Sequence, residues 1–125
     1  MSGVTLDAGP LIQLDRNRRQ VIALLAVASE TGGSITIPGS ALAQAIRDPA
    51  RQARLARLLR QPRTDVVPLD RVDATHVGRL LAASGTSDIA DAHVVVCGRR
   101  ARQTIVTSDP DDLRALDPSV DLITV

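Results

Sequence analysis

The 125-residue sequence contains no Phe, Trp or Tyr. Its core must therefore be built from Leu, Ile, Val and Ala. The aromatic faces on which single-stranded bases commonly stack are also missing. A nucleic-acid ligand would have to be held by charge and backbone contacts. Lysine is absent too, so all 15 basic side chains are Arg, and Glu30 is the only Glu among 14 acids. Both biases read as codon preference. Cys97 is the only cysteine, which excludes an intrachain disulfide and fits a reducing compartment. Its setting, Val94-Val95-Val96-Cys97, marks a small buried apolar residue rather than a nucleophile. No charged and then apolar leader opens the chain, and no apolar run approaches the ~20 residues that span a bilayer. A cytoplasmic protein with no membrane partner is expected. The net charge of +1 does not by itself mark a nucleic-acid binder.

The chain is long enough for one domain, residues 1–125, and shows no repeat, low-complexity tract or linker. Val4–Leu6 reads as a short strand ended by the turn Asp7-Ala8-Gly9-Pro10. A helix follows from about Arg18 to Ser29, stopped by Gly32-Gly33. Ser34–Ile37 is a second strand, and Ser40 a helix cap for 41–47. Asp48-Pro49 opens a helix running to about Arg60. Val66-Val67-Pro68-Leu69 is a strand whose Pro confines it to a sheet edge. Helices follow at 70–83 and 88–99, the second capped by Ser87. A strand at Ile105–Thr107, a helix at 110–116 and a strand at Leu122–Val125 complete the chain. Strands alternating with helices predict an α/β fold around a mainly parallel sheet.

Three groups of acids punctuate this order. Asp7 closes the first strand, Asp88 and Asp91 open a helix, and Asp109 with Asp111 and Asp112 follows the fourth strand. Parallel sheets bind ligands beyond the carboxyl ends of their strands. Acids gathered there repel one another and need a shared proton or a cation. A hard divalent ion such as Mg²⁺ takes oxygen ligands of this kind. Each acid also has an ordinary explanation. Asp88 complements a helix dipole, Asp109 suits a helix cap, and Asp7 suits a turn. Asp91 is the hardest to explain away, and Asp111 points to solvent.

The segments Leu6-Asp7-Ala8-Gly9-Pro10-Leu11-Ile12, Thr86-Ser87-Asp88-Ile89-Ala90-Asp91-Ala92-His93 and Val106-Thr107-Ser108-Asp109-Pro110-Asp111-Asp112-Leu113 resemble PIN-domain ribonucleases. They look most like the VapC-type toxins of bacterial toxin–antitoxin pairs, and the order of the acids matches over nearly the whole chain. The resemblance implies a three-layer α/β/α domain and cleavage of RNA dependent on Mg²⁺ or Mn²⁺. It also implies a cognate antitoxin as partner and suggests a homodimer. By it, Asp7, Asp91 and Asp109 fall on the catalytic, metal-holding positions. Asp88 is a further metal ligand, Asp112 a supporting acid, and Thr107 and Ser108 flank the site. The implied mechanism is attack of metal-activated water on an RNA phosphodiester. One departure stands out: Gln44 falls where the family usually carries a Glu, leaving the set one carboxylate short unless Asp88 supplies it.

Two further features accompany the acids. Arg47, Arg51, Arg54, Arg57, Arg60 and Arg63 recur at helical spacing. They read either as an RNA-phosphate track, with Arg47, Arg51 and Arg54 the nearest candidates, or as a solvated flank whose stems cover Leu55, Leu58 and Leu59. The same surface suits a protein partner. Arg99, Arg100 and Arg102 complement a helix dipole, and His76 and His93 lack zinc spacing and read as structural. The expected function is a metal-dependent endoribonuclease acting as a toxin. The alternative is a catalytically weakened PIN-fold protein that binds RNA or protein. A phosphorelay receiver, which usually needs a Lys beside its acids, ranks last.

Overall fold

Val4, Leu6, Ile35, Ile37 and Val106 alternate with Thr5, Thr36, Ile105 and Thr107, so each inner strand presents one side chain set to each face of a sheet. In the computed structural model, which describes residues 3–125, five strands form that sheet. They are Gly3–Leu6 (β1), Ser34–Pro38 (β2), Thr64–Val67 (β3), Thr104–Thr107 (β4) and Leu122–Thr124 (β5). Their spatial order is β3-β2-β1-β4-β5, and every neighbouring pair is parallel. β1 is central and fully buried; β3 is an edge strand as expected, but it runs over 64–67 rather than 66–69 and leaves Pro68 beyond its end.

The helices are Ala8–Asp15 (α1), Arg19–Glu30 (α2), Gly39–Ala45 (α3), Ala53–Leu59 (α4), Arg71–Ser84 (α5), Ile89–Ala101 (α6) and Pro110–Leu116 (α7). One core joins Val4, Leu6, Ile35, Ile37 and Val106 to Leu11 and Leu14 of α1, Val21 and Leu25 of α2, and Leu55 and Leu58 of α4. A second core joins Ile105 to Val77 of α5, Val94 and Val95 of α6, and Leu113 and Leu116 of α7. The result is the three-layer α/β/α arrangement with the sheet in the middle. On the α6 side the sheet carries mostly threonines, which are small. Gly98 of α6 lies directly over it, where a Cβ would run into Ile105 at 2.6 Å. That glycine lets α6 sit low on the strands.

Four local expectations are corrected. Ala8-Gly9-Pro10 is the first turn of α1, not a turn leading away from it. Proline is tolerated there because the early helical N–H groups have no partner within the helix. Ser40 does not cap α3: β2 runs into the helix through Pro38, and the Ser40 hydroxyl is engaged elsewhere. The cap of α6 is Asp88, whose carboxylate accepts the Asp91 N–H at 2.9 Å, and not Ser87. The Arg-rich stretch is not one helix. Pro49–Arg51 is a single 3₁₀ turn, separated from α4 by Gln52.

Gln52 is buried and explains the break. Its Oε1 accepts the backbone N–H groups of Arg47 and Asp48 at 3.0 and 3.2 Å, and its Nε2 donates to Ala45 O at 2.9 Å. One side chain thus satisfies three backbone groups at the end of α3. Truncation would strip all three of this partner and leave the buried Ala45 carbonyl unsatisfied, at about 1–3 kcal/mol. Gln52→Ala is expected to lower the midpoint of thermal unfolding, followed by circular dichroism, by roughly 8 °C. A loss under about 2 °C would contradict this role.

Candidate functional site

The site is built on the end of the central strand. The Asp7 N–H donates to Val106 O at 3.0 Å, extending the β1–β4 ladder one residue past Leu6. Asp7 also caps α1: its Oδ1 accepts the Ala8 N–H at 2.8 Å. Its Oδ2 accepts the Thr107 hydroxyl at 2.7 Å. Thr107 in turn accepts the Asp109 N–H at 3.0 Å, so one hydroxyl ties both strand ends together. Ser108 is turned away from Asp7 and accepts from Gln13 Nε2 at 2.9 Å. Gly9 is required beneath it, because any side chain there would collide with the Ser108 hydroxyl.

The remaining acids arrive from two helix starts. Asp88 and Asp91 stand on the first turn of α6, whose N-terminal dipole favours negative charge. Asp109 occupies the cap position of α7 but makes no side-chain cap bond, so its carboxylate is not used in holding the helix. Asp112 lies in the first turn of the same helix. Asp111 is solvated and paired with Arg114 at 3.8 Å.

Electrostatics report the convergence. Burial pushes the Asp7 carboxyl upward, opposed by the Thr107 and Ala8 hydrogen bonds and reinforced by the charges of Asp109 and Asp88. Asp91 is pushed up to about 7, first by burial and then by Asp88, Asp7, Asp112 and Asp109. Carboxylates from the α6 start and the β4–α7 junction thus act on Asp7 at the end of β1 and on Asp91. Nothing cationic stands among the groups that shift Asp7 and Asp91. A set of oxygen donors with excess negative charge is what a hard divalent cation requires.

Gln44 is exposed on α3 and lines a neighbouring cleft with Arg16, Arg47 and Arg51. Arg47 spends one nitrogen on the carbonyls of Ala43 and Ile46, and Arg51 pairs with Asp48 at 3.5 Å. Arg54 faces a different cleft with Arg57 and Arg63. The three arginines therefore form no continuous stripe, because the helix expected to carry them is interrupted at Gln52.

A second polar group was not found from sequence. Asp73 on α5, His93 on α6 and Ser40 on α3 form a buried chain. His93 is completely buried; its Nδ1 lies 2.6 Å from Ser40 Oγ and its Nε2 2.9 Å from Asp73 Oδ2. Arg100 donates to both Asp73 oxygens at 2.7 and 3.0 Å, rather than merely complementing the dipole of α6. The Arg100 bonds, and to a lesser degree that of His93, hold the Asp73 carboxyl down at about 2 although burial opposes them. Asp73, His93 and Cys97 offer atoms within 4.8 Å of one another. They fit a metal centre poorly. The guanidinium already supplies the cation, and burial pushes the Cys97 thiol up to about 11, far from the thiolate a soft metal binds. The sequence signal was faint: Asp73 looks like an acid in a helix first turn, and nothing local links it to His93.

Comparison with known proteins agrees with the architecture. Residues 4–117 match the PIN domain. No curated protein matches the sequence at a significant level. Among solved structures, the chain is similar to one from VapBC2 of Rickettsia felis bound to a promoter DNA fragment, with 14% identity, 98% of each chain covered and a TM-score of 0.68. It is also similar to one from FitAcB of Neisseria gonorrhoeae, with 17% identity, 97% and 96% covered and a TM-score of 0.62. A third, from FitAB bound to the IR36 DNA fragment, has 15% identity, 97% and 94% covered and a TM-score of 0.66. The match over residues 4–117 establishes that this chain belongs to the PIN-domain family.

Proposed function

We propose that this protein is a metal-dependent endoribonuclease and acts as the toxin of a toxin–antitoxin pair. The observation that carries the reading is that burial, Asp88 and Asp109 push up the carboxyls of Asp7 and Asp91, with Asp7 and Asp112 adding to the shift of Asp91, while no cation of the described residues is among the causes of those shifts. Asp7, Asp91 and Asp109 would hold Mg²⁺ or Mn²⁺, with Asp88 beside them and Asp112 adding charge. When bound, such an ion supplies Lewis acidity at the phosphate and a water of lowered pKa. The chain's own residues do the rest. Thr107 fixes the orientation of Asp7 and the approach of Asp109. Gln13, through Ser108, steadies the loop between them. Arg16, Arg47 and Arg51 line a cleft suited to the RNA backbone beside Gln44.

Gln44 favours a second reading, a PIN-fold protein that binds RNA without cutting it, because a Gln adds no charge to the set. Incubation of purified protein with structured RNAs, with Mn²⁺ or with EDTA, separates the two. Cleavage is expected only with metal, and Asp7→Asn, Asp91→Asn and Asp109→Asn are each expected to reduce it by at least 100-fold. Cleavage surviving EDTA and all three substitutions would sink the metal-nuclease reading. Binding without cleavage in any condition would favour the second.

The raised Asp91 carboxyl gives a test that needs no substrate. Its folded-state pKa of about 7 lies above the ordinary value near 3.9, so the folded protein holds a proton that the unfolded chain releases. Stability of the metal-free protein therefore falls as pH rises from ~4 to ~7. Metal must displace that proton, so the rise in melting temperature caused by Mn²⁺ is expected to be larger at pH 8 than at pH 6. Asp91→Asn is expected to stabilise the metal-free protein at pH 8 and to remove the Mn²⁺ response. An equal Mn²⁺ response in variant and wild type would exclude Asp91 from the site.

An antitoxin would find its footing between α2 and α4. A cleft of about 670 Å³ there has an apolar floor of Leu14, Ile22, Leu25 and Leu58 and a rim of Arg54, Arg57 and Arg63. It suits an amphipathic segment with acidic flanks. Charge reversal at Arg54 and Arg57 is expected to weaken copurification of the cognate antitoxin. An undiminished complex would place the partner elsewhere.

A further inference from the structure

The buried chain Ser40–His93–Asp73 lies close to the carboxylate cluster without belonging to it. Asp91 and His93 are two residues apart on α6, so they project from nearly opposite sides of the helix. His93 faces inward, completely buried, between α3 and α5, with both ring nitrogens engaged. An ionised carboxylate only accepts, so His93 Nε2–H donates to Asp73; in the neutral ring Nδ1 accepts the Ser40 hydroxyl. Asp73 is locked in turn by two bonds from Arg100, about two turns further along α6 than His93. The ring is therefore held from both sides, and α6 cannot rotate about its axis without breaking at least one buried hydrogen bond.

Rotation matters at the cluster. Turning a helix by 10° moves a side-chain tip at a radius of about 6 Å by about 1 Å. Metal and catalytic sites tolerate only about half of that. Asp88 and Asp91 both ride on the first turn of α6. Ser40 ties the same ring to α3, where Gln44 lies four residues on, along the same side of that helix. Apolar packing alone holds a helix less uniquely than directed bonds do. The α6 face of the sheet, with Thr5, Thr36 and Thr107, offers few large side chains to key into.

We propose that Ser40, His93 and Asp73 are positioning residues for the carboxylate cluster. They fix the rotation of α6 and thereby the placement of Asp88 and Asp91 around a divalent cation. The inference rests on the metal-site reading above, and it concerns residues that never touch the ion, the substrate or the acids that would hold the ion.

The test is Mn²⁺ affinity of purified full-length protein, followed by electron paramagnetic resonance, alongside thermal unfolding. Asp73→Asn and His93→Leu are expected to weaken Mn²⁺ by about tenfold, the lower end of what outer partners of a metal site cost. Ser40→Ala should weaken it a few-fold. His93→Gln, whose amide nitrogen can reproduce the Nε2 bond to Asp73, should recover most of the affinity lost in His93→Leu. Ser40 is only partly buried, so Ser40→Ala keeps the test open if a variant at His93 or Asp73 fails to fold. A purely structural role would lower the unfolding midpoint while leaving the affinity of the folded molecules within twofold of wild type, in Ser40→Ala and the other folded variants alike. That result would overturn the inference and leave the metal site standing. Wild type that binds no Mn²⁺, or an Asp91→Asn variant that binds it as well, would overturn both.

Discussion

Like charges do not gather unless something else holds them. Here the holder is the end of β1, where the buried Asp7 is fixed by a backbone N–H on one oxygen and the Thr107 hydroxyl on the other. Those two bonds partly offset the burial that would neutralise the group. They also determine which way it faces. Asp109 is tied to this carboxylate through the same threonine, while Asp88 and Asp91 arrive on the start of α6. The five-stranded sheet holds Asp7 and Asp109 at the ends of two buried strands, β1 and β4, against that repulsion.

The two acids of α6 divide their work. Asp88 uses one oxygen to cap the helix, accepting from the Asp91 N–H, and contributes charge as well. Asp91 caps nothing, and burial with the neighbouring carboxylates pushes its own carboxyl up. Asp109 is comparable: it stands at a cap position but makes no cap bond. An acid that sits where a cap belongs and does not act as one is better evidence of a ligand role than an acid that caps.

Much of this was legible in the sequence. The alternation of strands and helices and the placing of Asp7 and Asp109 at strand ends follow from local chemistry. What was missed follows equally from physics. Gly9-Pro10 is a strong turn signal, yet the first turn of a helix accepts both residues, and α1 was hidden behind it. Gln52 interrupts the arginine-rich stretch by bonding to backbone four to seven residues away in a way that no periodicity displays. Asp73 and His93 are 20 residues apart and meet only because α5 and α6 pack together. Their partner Ser40 looked like a cap because serine before a helical run usually is one. The sequence shows which residues have chemistry to offer; the third dimension decides which of them spend it on the scaffold.

Gly98 carries a consequence of a different kind. It lies seven residues beyond Asp91, about 10 Å along α6, and has no contact with the acids. Yet its missing side chain is what lets the helix settle onto Ile105 and Thr5. A methyl group there would act as a shim under one end of a rigid rod. The other end, with its two carboxylates, would be tilted off the sheet. Depth as well as rotation thus has to be specified for a charged cluster on a helix tip, and the depth is set at a position that no survey of the cluster's own surroundings would include.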